Sequence, residues 1–172
     1  QAQRDAKAKA LMAEAGYADG LDVELLYNTS EAHKKVAVAV SQMWKTKLGV
    51  KVALANQEWK GYLENRGNQD YQVARAGWCG DYNEASTFLD LLQSKSGYND
   101  AKYSNAMVDS LLNAAKTAAN PQSNYTKIEE IIAQDVPIIP IYHYTDAYMM
   151  GSDVGNWPVN NVEQNWYSKD LY

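Results

Sequence analysis

The chain has 172 residues, 46% hydrophobic and 22% charged, an ordinary balance for a folded globular protein and enough length for one sizeable core. A net charge of -5 without a basic cluster argues against nucleic acid, because neutralising phosphates takes concentrated Lys and Arg. No apolar run approaches the roughly 20 residues of a membrane helix, and the single cysteine, Cys79, excludes an internal disulfide and any multi-cysteine metal site while leaving the redox compartment open.

Residues 4 to 15 set Ala8, Leu11, Met12 and Ala15 on one face, with Gly16 where a helix C-cap belongs, so the spacing predicts a short helix. This opening has no hydrophobic signal core, which fits either a cytosolic protein or a chain whose natural N-terminus lies upstream. "LDVELLY" alternates Leu21, Val23, Leu25 and Tyr27 against Asp22 and Glu24, the period of a strand with one buried face. "NTSE" then offers capping residues to a helix carrying Val36, Val40, Met43, Trp44 and Leu48, closed by Gly49, and "VKVAL" resumes strand alternation. Strand, helix, strand in this order and length is a βαβ unit, which implies parallel strands and a right-handed crossover.

A short helix over Glu58 to Arg66 should turn Trp59, Tyr62 and Leu63 inward, and "YQVARAGW" predicts a third strand over 71–78. Residues 85 to 92 predict a helical turn or two, followed by a polar loop. Helices over 105–118 and 121–135 are divided by Asn120, a capping residue, and Pro121, which suits a first helical position. "VPIIPIYHYTDAYMM" predicts an extended run entered from a loop or an edge, because its prolines cannot donate to a ladder. The last stretch is loop-like, yet Val154, Trp157, Val159, Val162, Trp166, Tyr167, Leu171 and Tyr172 need a surface to pack on and find none within the segment.

Thirteen Tyr and 5 Trp against one Phe suit half-wet surfaces that grip ligands, since each ring couples apolar area to a polar tip. The stretch "ARAGWCGDYNE" concentrates such groups. Arg75 lies where burial is expected and must meet an acidic partner or an anionic ligand, and both readings stand. With Trp78, Asp81 and Tyr82 it places opposite charges and large aromatics at a strand end, where open α/β sheets put their clefts. Asp81 and Glu84 could be an acid/base pair for glycoside hydrolysis, but carboxylates here more often cap turns. Cys79 could act as a nucleophile with His33 or His143, but a lone cysteine at a strand end is more often a small buried apolar residue. The two histidines have no metal-ligand spacing, and no cofactor is implied. Read singly, Trp59 and Trp78 look like core.

"ELLYNTSEAHKKVAVAVSQMWKTKLGVKVALANQEWKGYLENR", then "DYQVARAGWCGDYNEASTFLDLL", with "VPIIPIYHYTDAY" and "NWYSKDLY", closely resembles the periplasmic oligopeptide-binding proteins, the extracytoplasmic substrate receptors of ABC peptide importers. The resemblance implies an α/β periplasmic-binding-protein-like (type II) lobe with a βαβ unit and a mixed sheet flanked by helices. It implies that residues 1–147 form most of the second lobe of a two-lobed receptor and that 148–172 cross back toward the first. It further implies a monomeric, non-enzymatic, periplasmic protein that holds short peptides in extended form and delivers them to permease subunits in the inner membrane. A narrower ligand, such as murein or signalling peptides, is the alternative within the same fold. By the same resemblance Asp81 binds the peptide's α-ammonium, Trp78 and Cys79 contribute wall and backbone contacts, Tyr144 lines the cleft, and Trp59 walls a pocket. Arg75, Arg66 and His33 fall on the family's carboxylate anchors, used according to peptide length. Gly80 departs from relatives that often carry Ala there.

Overall fold

Helix α1 (Ala2–Glu14) stops at Gly16, whose φ of 89° only a residue without Cβ adopts freely. β1 (Asp22–Asn28), α2 (Glu31–Leu48) and β2 (Lys51–Gln57) form the expected parallel βαβ unit, in register from Asp22 opposite Lys51 to Asn28 opposite Gln57. Ser30 caps α2 by accepting from the His33 N–H at 3.5 Å, and Gly49 ends it in the left-handed conformation. The computed structural model describes residues 1–159, 161 and 166–172; Val162 of the apolar tail lies outside the described residues.

β1 is the central strand of a three-stranded sheet ordered β2-β1-β3, where β3 is Val73–Ala74. The sheet is parallel in both pairings, so the antiparallel member expected of a mixed sheet has no counterpart among the described residues. Central position also changes the burial of β1. Alternation holds over its first half, but Leu25, Leu26, Tyr27 and Asn28 are all buried, because its far half is covered on both faces.

The third strand is far shorter than the eight residues expected. Only Val73 and Ala74 pair, opposite Leu25 and Leu26, and the Arg75 N–H adds one further bond to the Leu26 carbonyl at 2.8 Å. Upstream, the Gln72 side chain accepts from the Glu24 N–H at 2.6 Å, in place of a backbone carbonyl. Helix α3 (Trp59–Asn68) buries Tyr62 completely but leaves Trp59 and Leu63 exposed, so two of its three expected core residues face outward.

Length favours one compact unit, but the chain divides into two, residues 1–77 and 78–172. The second has a core of its own. α4 (Ser86–Leu89) and the 3₁₀ turn Asp90–Leu92 bring Leu89 and Leu92 against α5 (Ala106–Ala115) and α6 (Gln122–Asp135), joining Val108, Leu112, Ala115, Tyr125, Ile128 and Ile132. Asn105 caps α5 by accepting from the Met107 and Val108 N–H groups, and the Asn120 side chain accepts from the Gln122 N–H at 3.1 Å as α6 begins. Residues 141–150 enter no ladder and are exposed throughout, and Trp157 stacks with Tyr148 and Trp166 at 5.1 and 4.8 Å between ring centroids.

Candidate functional site

In residues 1–77 the candidate cations gather around the carboxyl end of β1. β1 delivers Asn28 there, β3 runs out into Arg75, and α2 begins with His33 in its first turn, so three elements converge. The Arg75 Nη1 approaches the Asn28 Oδ1 at 3.5 Å. Its guanidinium also lies where Gly77 has no side chain, since a Cβ on Gly77 would come 2.8 Å from Nη2. The His33 imidazole is pushed below the usual histidine range, first by burial and then by the Arg75 charge, while its bond to the Asn28 backbone pulls the other way. The amino end of the 18-residue α2 adds partial positive charge at the same place. These groups together favour an anion.

Arg66 joins this unit through Tyr62, a residue the sequence marks only as core. The Tyr62 hydroxyl donates to the Arg75 backbone carbonyl and accepts from the Arg66 Nη1 at 3.2 Å, while the Arg66 guanidinium sits 5.3 Å from the Tyr62 ring centroid. Trp59 lies one turn earlier, its ring 5.6 Å from that of Tyr62. Trp59, Tyr62 and Arg66 follow helical spacing, which is the sequence signal that could have found Tyr62. Trp59 is 55% exposed, so its ring is available as a wall and is not core.

The remaining candidates lie in residues 78–172. Asp81 is exposed, on a loop that leads into α4, and its backbone N–H donates to the Thr87 Oγ1 at 2.9 Å. Trp78 is half-buried with its ring 5.0 Å from that of Tyr98, and its indole N–H is buried with no hydrogen-bond partner among the described residues. A buried donor left unmade costs about 1–3 kcal/mol. Cys79 is exposed, against the expectation of a small buried apolar residue, because the chain leaves the sheet at Ala74 and carries Cys79 on a loop. Tyr144 is exposed and meets Tyr142 edge-on at 4.9 Å, which puts both rings on one side of the extended run.

Glu84 departs from the role of a general acid. Its carboxylate accepts from the Ser86 hydroxyl at 2.6 Å and from the Tyr125 hydroxyl, and these bonds, Ser86 first, hold its pKa below the usual carboxylate range. Glycoside cleavage needs a carboxyl raised enough to keep its proton. No group of three or more His, Cys, Asp or Glu able to hold a metal occurs among the described residues.

Residues 1–100 match the family described as bacterial extracellular solute-binding proteins, family 5 Middle. The chain is 44% identical to the periplasmic oligopeptide-binding protein OppA of Salmonella typhimurium and 42% identical to the periplasmic murein peptide-binding protein MppA of Escherichia coli; each alignment covers 100% of this chain and 33% of the relative. Among solved structures it is similar to Haemophilus influenzae OppA in complex with RPPGFSPFR, with a TM-score of 0.88 and 39% identity over 99% of this chain and 35% of that one. The chain thus spans about a third of the length of the curated relatives it matches.

Proposed function

The chain belongs to the bacterial extracellular solute-binding proteins of family 5, and from that premise we propose that it serves in a periplasmic receptor that binds short peptides in extended form and hands them to the permease of an ABC importer. In this reading residues 1–147 supply most of one peptide-binding lobe, and 148–172 cross back to the other. The exposed Tyr, Trp and Met residues of the final segment support that path, as they offer apolar surface that another body would cover. The receptor works as a monomer and turns nothing over. Names carried by the relatives, OppA for oligopeptides and MppA for murein peptides, support the ligand class and keep murein peptides as the second reading.

One observation carries the proposal: the convergence of Arg75, His33 and the amino end of α2 at the carboxyl end of β1. A peptide carboxylate is the anion such a place suits, with Arg66 and the exposed Trp59 further along α3 for longer ligands and their side chains. Asp81 is the compact acceptor for the ligand's α-ammonium, and Trp78, Cys79 and Tyr144 line the peptide's path. Main-chain pairing of an extended ligand gives affinity without demanding particular side chains.

Replacing Asp81 with Asn in the complete receptor should weaken peptide binding by about 2–5 kcal/mol, the range for stripping one partner from a buried charge pair. Calorimetry checks this, and unchanged affinity overturns the anchor. Mass spectrometry of the gently purified receptor separates the two readings: mixed peptides of several lengths support broad transport, and a uniform murein peptide supports the narrower one.

A further inference from the structure

The loop that presents Asp81 has little packing to hold it. Residues 81 to 84 are all exposed, and beside them an indentation of about 370 Å³ opens between Tyr82, Glu84, Ser86, Asp90 and Tyr125. Hydrogen bonds do the holding. The Thr87 hydroxyl takes the Asp81 N–H at 2.9 Å, the Glu84 N–H returns to the Tyr82 carbonyl at 3.0 Å, and the Tyr82 and Ser86 hydroxyls meet at 2.9 Å. Each of these bonds lies within the loop or joins it to the start of α4.

Besides the packing of Ala85 and the buried Thr87 of α4, one side chain among the described residues ties this local network directly to α6. The Glu84 carboxylate takes the Ser86 hydroxyl on one oxygen and the Tyr125 hydroxyl on the other. Tyr125 is buried on α6 within the cluster that contains Leu112, Ile128 and Ile132. Its phenol therefore fixes one end of the loop to the core, and the Asp81 carboxylate lies three residues before the tied position. Charge-assisted bonds of this type are about twice as strong as neutral ones and sharply directional.

We propose that Glu84 and Tyr125 are positioning residues for ligand capture: their bond ties the Asp81 loop to α6, so that the carboxylate is already placed when a peptide ammonium arrives. The inference rests on the reading of Asp81 as the ammonium anchor. Preorganisation of this kind raises affinity by removing the cost of ordering the loop on binding. Neither residue needs to touch the peptide.

The test uses the complete receptor with Tyr125→Phe, which removes one hydroxyl and keeps the ring in the core, and with Glu84→Gln as a second variant. Calorimetry is run with one tripeptide, free and N-acetylated, in the wild-type and Asp81→Asn backgrounds, beside thermal unfolding. Loss of one such bond should weaken binding of the free peptide about 3- to 10-fold. In the Asp81→Asn background, and with the acetylated peptide, the same substitution should change nothing. Wild-type affinity in both variants overturns the tie, as does a loss of equal size in every background, which would mark a merely structural role. An Asp81→Asn receptor that binds like the wild type sinks the anchor instead, and the tie with it, so the two failures are distinguishable.

Discussion

His33 is the residue whose charge decides most. Burial and the neighbouring Arg75 push its pKa below the usual 6.5, so it is neutral in the free protein near pH 7. As pH falls from 6.5 toward that depressed value, the unfolded chain takes the proton first, and this site lowers the stability of the fold in that window. A docked carboxylate reverses the balance, because it favours the imidazolium and draws a proton in with the ligand. Peptides whose carboxylate reaches His33 should bind about 2- to 5-fold more tightly near pH 5.5 than near pH 7.5, and His33→Gln should flatten the difference. Calorimetry in buffers of different ionisation enthalpy reads the proton uptake directly, and binding without uptake removes His33 from the site. Gly20 poses a backbone question at the same scale. Its φ is +90° and a Cβ there would overlap the Gly49 carbonyl, so Gly20→Ala should cost about 2 kcal/mol or more in thermal unfolding. A neutral result would mean that the turn before β1 can shift away from the end of α2.

At the level of elements, the βαβ unit was legible because hydrophobic period, caps and lengths all agree over residues 22–57. Where they diverge, the sequence misled. Burial on both faces of β1 depends on packing by elements such as α2 and α3, which no pattern within the strand records. The third strand is expected over eight residues yet pairs over two, although β1 extends past the pairing on both sides; upstream the Gln72 side chain, not its backbone, takes the Glu24 N–H. Tyr62 was read as core, correctly, but its hydroxyl links Arg66 to the Arg75 backbone, and a polar tip inside a helix stripe announces no partner. Cys79, expected at a strand end and buried, is exposed because the strand stops five residues before it, at Ala74. α5 and α6 were legible as helices, and their role as a separate core was not. Leu112 is 1% exposed at the centre of that core, so Leu112→Ala should cost about 3 kcal/mol through lost burial and the cavity left behind. Hydrogen exchange should speed up across α5 and α6 and leave β1 protected; a uniform increase would mean that the two units unfold as one.

On the scale of the whole molecule, the candidate cations and the candidate carboxylate fall in different units. Residues 1–77 gather Arg75, Arg66 and His33, and residues 78–172 carry the exposed Asp81 carboxylate; in the proposed function the first group takes a peptide's carboxylate and Asp81 its ammonium. Under that proposal recognition falls on the charged ends, which are common to all peptides, and leaves the middle free. The residue types of the candidate site are legible in the sequence; their grouping is not, since His33, Arg66 and Arg75 come together only through the fold. The most direct measurement is a calorimetric cycle on the complete receptor, crossing free against N-acetylated peptide with wild type against Asp81→Asn. The account predicts that acetylation costs at least about tenfold in the wild type and nothing further in the variant. Equal affinity for blocked and free peptides in the wild type would contradict it.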